Sequence, residues 1–206
     1  MTKIKLCGMT EFCDIEAANG LMPEYIGFVF AKKSCRYVAP AKAGELKRRL
    51  NPGIRAVGVF VNESPETVAG LLDGGIIDLA QLHGNEDTAY IQQMRQLTDR
   101  PLIQAFPVHT AADLAAAEES PADYILLDSG KGGAGTTFDW RLIKGMKRPF
   151  FLAGGLCARN AAEAVRRLKP YGVDVSSGIE TDGRKDAAKM SMFVHTVRDA
   201  ERGMRK

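Results

Sequence analysis

Apolar residues along this 206-residue chain fall into short runs of strand length, beginning near Ile4, Tyr25, Arg55, Asp78, Leu102, Tyr124, Phe150 and Gly172. Their mean spacing is roughly 24 residues, the length that a strand, a helix and two short loops require. The segments between them carry helical periodicity. Ala161, Ala164, Val165 and Leu168 are spaced i, i+3, i+4, i+7, as are Met190, Phe193, Val194 and Val197. Ser64-Pro65 has the form of an N-cap followed by proline in the first turn, and Thr110 stands where it can cap the alanine-rich segment after it. Eight strand signals alternating with eight helix signals predict a parallel sheet joined by right-handed crossovers. A closed barrel and an open doubly wound sheet both fit that rhythm. The count of eight, the even spacing and the lack of a linker favour one (β/α)8 (TIM) barrel over residues 1–206, near the minimum size for that fold.

Alternation along each strand then assigns faces. Ile4 and Leu6 belong under the helices, which turns Lys5 and Cys7 into the barrel. By the same parity Asp128 points inward while Ile125 and Leu127 point outward, and Asp174 and Ser176 face in while Val173 and Val175 face out. The eighth strand closes against the first, so Lys5 and Asp174 are expected to form an ion pair beneath Cys7, because buried charges need partners.

Composition narrows the class. Hydrophobic residues make up 45% and charged residues 26%, with a net charge of +3 and no long Lys/Arg block, which argues against a nucleic-acid partner. Four cysteines, at 7, 13, 35 and 157, form no CxxC pair and no metal-ligand spacing; they read as free thiols of a reducing compartment. No segment approaches the roughly 18 apolar residues of a membrane span, so a soluble cytoplasmic protein is expected. The basic residues Arg198, Arg202, Arg205 and Lys206 read as a solvated helix end.

Candidate chemistry gathers at the strand ends. Cys7 and Asp128 each close a strand just ahead of glycine, which places a weak base and a weak acid at one barrel mouth. The seventh and eighth strands end in Gly154-Gly155 and Ser176-Ser177-Gly178. In barrels of this type the loops there offer backbone N–H groups to a phosphate, though tight turns would use the same residues. Lys32, Lys33 and Arg36 form a basic loop after the second strand, where Arg36 can grip a carboxylate bidentately. His83 ends the fourth strand facing inward, as a hydrogen-bonded structural histidine or a substrate contact; His109 and His195 read as surface or packing residues. Cys13 and Cys35 receive no role. Residues 130–135 have the form G-x-G-x-x-G, but no acid follows about 20 residues on to hold a ribose. A loop over the mouth is the better reading of that segment.

Taken together, the motifs resemble the phosphoribosylanthranilate isomerase family from end to end. They are Lys5-Leu6-Cys7-Gly8-Met9-Thr10, Ser34-Cys35-Arg36-Tyr37, Gln81-Leu82-His83-Gly84, Leu126-Leu127-Asp128, Gly132-Gly133-Ala134-Gly135 with Phe138-Asp139-Trp140, Leu152-Ala153-Gly154-Gly155-Leu156 and Gly172-Val173-Asp174-Val175-Ser176-Ser177-Gly178-Ile179-Glu180. Ala134, where the family usually has threonine, and Ala158, where proline often starts the helix, are local departures. The resemblance implies an Amadori rearrangement of N-(5′-phosphoribosyl)anthranilate to 1-(2-carboxyphenylamino)-1-deoxyribulose 5-phosphate, a step of tryptophan biosynthesis. It implies Asp128 as general acid and Cys7 as general base. The anthranilate carboxylate falls to Arg36, and no metal or redox cofactor is required, since the iminium formed in the reaction is itself the electron sink. The partner is a small phosphosugar carrying anthranilate, and monomer and homodimer both stay open. The roles call for a Cys7 pKa lowered by Lys5 and an Asp128 pKa raised. Competing readings are another phosphosugar isomerase or epimerase, a non-catalytic phosphate-binding barrel and, least favoured, a dinucleotide-binding module.

Overall fold

The computed structural model describes residues 1–129, 139–143 and 145–204. Eight parallel strands close into a barrel in sequence order: β1 (Lys3–Cys7), β2 (Tyr25–Val29), β3 (Arg55–Phe60), β4 (Leu79–Leu82), β5 (Leu102–Pro107), β6 (Tyr124–Asp128), β7 (Phe150–Leu152) and β8 (Gly172–Val175). Every strand begins within one residue of the position that its apolar run indicates. Between them lie α1 (Phe12–Leu21), α2 (Pro40–Arg49), α3 (Pro65–Asp73), α4 (Thr88–Leu97), α5 (Ala111–Glu118) and α6 (Ala158–Leu168), with α7 (Ala187–Gly203) after β8. The sixth crossover departs from the expected alternation. Among the described residues it holds only a 3-10 turn, Trp140–Ile143. The 130–135 glycine motif and Phe138 lie outside the described residues.

The capping signals act locally. Ser64 Oγ accepts from the Thr67 amide at 3.3 Å ahead of α3, worth about 1 kcal/mol for such a cap. At α5 the Thr110 amide donates to Asp113 at 2.8 Å. The basic end of α7 differs from its expectation: Arg198 is not solvated but holds both oxygens of Glu24 at 3.0 Å, and Glu24 also accepts from the Ile4 amide. That contact fastens the last helix to the bottom of β1. Arg205 and Lys206 lie outside the described residues.

Two apolar layers follow from strand parity. Ile4, Leu6, Ile125, Leu127, Val173 and Val175 pack under the helices, while Tyr25, Leu79, Ile103, Leu126 and Phe151 fill the barrel interior. Tyr124 and Tyr171 meet Phe151 edge to face at 6.0 and 5.1 Å and plug the N-terminal end. Above that floor, Lys5 and Asp174 are register partners on β1 and β8, and their charged atoms meet at 3.0 Å with Lys5 fully buried. The expected ion pair is present and forms the middle of the barrel. Cys7, Val29 and Val59 lie above it, at the C-terminal mouth.

Two further short strands follow β8, unmarked by the apolar rhythm. β9 (Glu180–Thr181) and β10 (Arg184–Lys185) pair antiparallel around Asp182-Gly183, both at positive φ (50° and 76°). Asp-Gly at a two-residue turn is the usual signal for such a hairpin.

Candidate active site

The C-terminal mouth opens on a cavity of about 460 Å³. Cys7, Arg36, His83, Asp128, Gly154, Gly155, Ser176 and Ser177 all line it. Gly178 does not. It sits in the 3-10 turn Ser177–Ile179 against the Leu156 carbonyl, where a β-carbon would have no room. Eight side chains or glycines from the ends of six different strands, or the loops that follow them, are thereby brought to one hollow. Cys35, given no role by the sequence, also faces it.

Cys7 ends β1 and is only 7% exposed. Its register partner is Gly27 on β2, and a β-carbon built there would stand 2.6 Å from Sγ. Glycine at that position is what leaves space for the thiol. On the other side Ser176 Oγ donates to the Cys7 carbonyl at 3.1 Å, so that hydroxyl braces the backbone and is not a free donor for an anion. Burial raises the Cys7 pKa, and the neighbouring Lys5 charge offsets this only in part. The expected lowering does not occur. Lys5 is already neutralised by Asp174, so its pull on the thiol is weakened.

Asp128 ends β6, with its carboxylate 3.2 Å from Nε2 of His83 and 3.3 Å from the hydroxyl of Ser129, which donates to it. Gly154, at φ +84°, brings the loop after β7 close; a β-carbon there would come within 2.7 Å of Asp128 Oδ1 and 2.5 Å of the Ser129 amide. Burial pushes the Asp128 carboxyl up, but the hydrogen bond and charge of His83, with help from Ser129, carry it below the ordinary carboxylate range. This corrects the expected rise. His83 is the reason, and its contact with Asp128 was not visible in the chain.

His83 is in turn held by Gln81, two residues back on the same inward face, whose amide nitrogen lies 2.9 Å from Nδ1. Nε2 meets Asp128 and Nδ1 meets Gln81, so the ring is oriented through both of its nitrogens. Gln81 is 1% exposed and, though part of the Gln81-Leu82-His83-Gly84 motif, was given no role from the sequence. An amide at a buried, inward strand position was the available signal.

Arg36 stands at the mouth with its guanidinium engaged. Nε and Nη2 donate to the two oxygens of Glu180 at 2.6 and 2.7 Å. Glu180 also takes Lys185 Nζ at 2.5 Å, and Lys185 donates to the Ser176 carbonyl at 3.1 Å. Glu180 and Lys185 side chains are 8% and 3% exposed. Burial tends to raise the Glu180 pKa, yet its two cations bring it below the usual range; burial lowers that of Lys185. Neither residue was singled out from sequence, although both sit in the hairpin that Asp182-Gly183 marks.

A thiol, a carboxyl group and a fixed guanidinium thus face one cavity. Among the described residues no group of three or more His, Cys, Asp or Glu side chains is arranged to hold a metal ion, and no helix is long and apolar enough to cross a membrane.

Comparison with known proteins agrees with the site. The family model described as N-(5′-phosphoribosyl)anthranilate (PRA) isomerase matches residues 4–196. The N-(5′-phosphoribosyl)anthranilate isomerase of Caldanaerobacter subterraneus subsp. tengcongensis is 42% identical over 204 residues, covering 96% of this chain and 98% of that protein. The crystal structure of phosphoribosyl anthranilate isomerase from Thermus thermophilus superposes with a TM-score of 0.88 at 32% identity, over 96% of this chain and 99% of the other. Another phosphoribosyl anthranilate isomerase, solved in complex with reduced 1-(o-carboxyphenylamino)-1-deoxyribulose 5-phosphate, gives 0.85 at 33% identity, over 97% and 100%. The chain belongs to the N-(5′-phosphoribosyl)anthranilate isomerase family.

Proposed function

We propose that this chain isomerises N-(5′-phosphoribosyl)anthranilate in tryptophan biosynthesis, with Asp128 as general acid and Cys7 as general base. The observation that carries this assignment is their convergence: both groups, from the non-adjacent strands β1 and β6, face one cavity, and each lies against a glycine that leaves it space. The Asp128 carboxyl gives its proton to the furanose ring oxygen, the ring C–O bond breaks toward that oxygen, and an iminium forms at C1′. The Cys7 thiolate removes the proton on C2′, whose electrons make an enolamine. The enol proton is lost and C1′ gains one, giving the 2′-ketone. Atoms and electrons balance within the substrate and no oxidant enters.

The phosphate would bind at Gly154-Gly155 and Ser177, which line the cavity and where small residues let backbone approach an anion. Ser176 takes part by bracing Cys7, and Arg36 receives the anthranilate carboxylate. His83 serves through Asp128 and lines the same cavity.

Because Cys7 is pushed up and Asp128 down, the free protein at neutral pH holds a thiol and a carboxylate, the reverse of the reactive pair. Catalysis therefore runs through the minor form, thiolate with carboxylic acid. Each proton transfer contributes roughly 10²–10⁴ in rate.

The test is the fluorescence of the anthranilate group, followed with purified protein, N-(5′-phosphoribosyl)anthranilate and no added cofactor. Consumption of the substrate with formation of the ketose is expected. A protein that leaves the substrate at the rate of buffer alone overturns the reading.

A further inference from the structure

We infer that Glu180 is a specificity-determining positioning residue, which locks the Arg36 guanidinium side-on so that its opposite edge is presented to the substrate carboxylate. This deepens the function proposed above and rests on the assignment of Arg36 in it. A guanidinium offers two bidentate edges, one through Nε and Nη2 and one through Nη1 and Nη2. Glu180 occupies the first at 2.6 and 2.7 Å. Among the described residues Nη1 has no hydrogen-bond partner, and Arg36 lines the cavity. Two carboxylates can therefore share one guanidinium, the protein's on the side and the substrate's at the end.

The rest of the hairpin keeps Glu180 in place. Lys185, across the β9–β10 ladder, holds the same Oε1 that meets Arg36 Nε and also ties itself to the Ser176 carbonyl. Ser176 in turn holds the Cys7 carbonyl. Arg36 and the thiol are thereby referenced to one rigid turn, which sets the distance from the carboxylate grip to the base. The Glu180 carboxylate itself is shared by two cations, Arg36 and Lys185. A bound carboxylate balances the charge, and a neutral aryl group in its place leaves one cation unmatched. The arrangement selects for a carboxylated ring.

The experiment compares wild type, E180A, E180Q and R36A for turnover of N-(5′-phosphoribosyl)anthranilate. It also compares inhibition by the reduced product with inhibition by the same compound lacking the ring carboxylate. For E180A the expected result is a KM raised roughly 10- to 100-fold with a much smaller change in kcat, the size of a lost charge-assisted contact. The preference for the carboxylated inhibitor should fall toward that of R36A. E180Q keeps a hydrogen-bond acceptor and should fall in between; if E180A does not fold by circular dichroism, E180Q carries the comparison alone. Equal weakening of both inhibitors in the Glu180 variants, or an unchanged or stronger carboxylate preference, overturns the proposal. Retention of that preference by R36A instead sinks the Arg36 assignment beneath it.

Discussion

A β-carbon on Gly27 would stand 2.6 Å from the Cys7 sulfur, so the thiol occupies the space that a side chain would take on the neighbouring strand. The two residues are register partners on β2 and β1, and neither backbone can move without disturbing the barrel ladder. Gly27→Ala should therefore displace the sulfur. Overpacking of this kind costs about 1–3 kcal/mol of stability, while a shift near 1 Å at a reacting group costs on the order of 10² in rate. Turnover should fall far more than the melting temperature suggests. A variant with near wild-type kcat would show that the sulfur position does not matter.

The Lys5–Asp174 pair below carries a stability prediction. Burial alone would lower the Lys5 pKa, but Asp174, with a smaller contribution from Cys7, more than reverses this, and the net shift is upward. A raised amine contributes stability that is complete below its unfolded value of 10.5 and is lost as pH rises through the higher folded value. At neutral pH the contribution is whole. Lys5→Met or Asp174→Asn leaves one buried charge unmatched and should cost about 3–5 kcal/mol in urea unfolding, and the double variant should cost less than the sum. Additive losses would mean that the two groups do not act as a pair.

The reversed protonation states give a distinctive pH dependence. With Asp128 below the carboxylate range and Cys7 above the thiol range, kcat/KM should hold a broad plateau through neutral pH. It should fall only on the acid side of ordinary carboxylates and the alkaline side of ordinary thiols. The ultraviolet absorbance of thiolate, taken as wild type minus Cys7→Ala, checks the upper limb directly. A thiolate already formed at neutral pH would refute this assignment of states.

Gln81 should matter through the histidine. Gln81→Leu removes the contact to Nδ1, so the His83 ring is no longer oriented through both nitrogens and its hydrogen bond to Asp128 weakens. Weakening that bond should move the acid limb of the pH profile up toward the ordinary carboxylate value, with KM little changed and kcat altered by no more than roughly tenfold. An unmoved profile would leave Gln81 a packing residue.

Strand parity carried much of this site into view. Once β8 was set against β1, the alternation in Lys5-Leu6-Cys7 and Asp174-Val175-Ser176 put the ion pair and the thiol in one column, because side-chain direction in a strand is a local property. Contacts such as Arg36 with Glu180, 144 residues apart, and His83 with Asp128 depend on how loops return to the mouth, which no local pattern encodes. The Asp128 pKa direction was misjudged for the same reason, since His83 outweighs burial there; at Cys7 it is burial that outweighs the expected pull of Lys5. The β9–β10 hairpin was legible in Asp182-Gly183, but nothing local marked Glu180 and Lys185 as partners of Arg36 and Ser176.

The most direct measurement is the steady-state rate of Cys7→Ala and Asp128→Ala on N-(5′-phosphoribosyl)anthranilate. General acid/base catalysis by these two groups predicts that each kcat falls by roughly 10²–10⁴ while KM stays within a few-fold of wild type. A kcat close to wild type in either variant would contradict the role given to that residue.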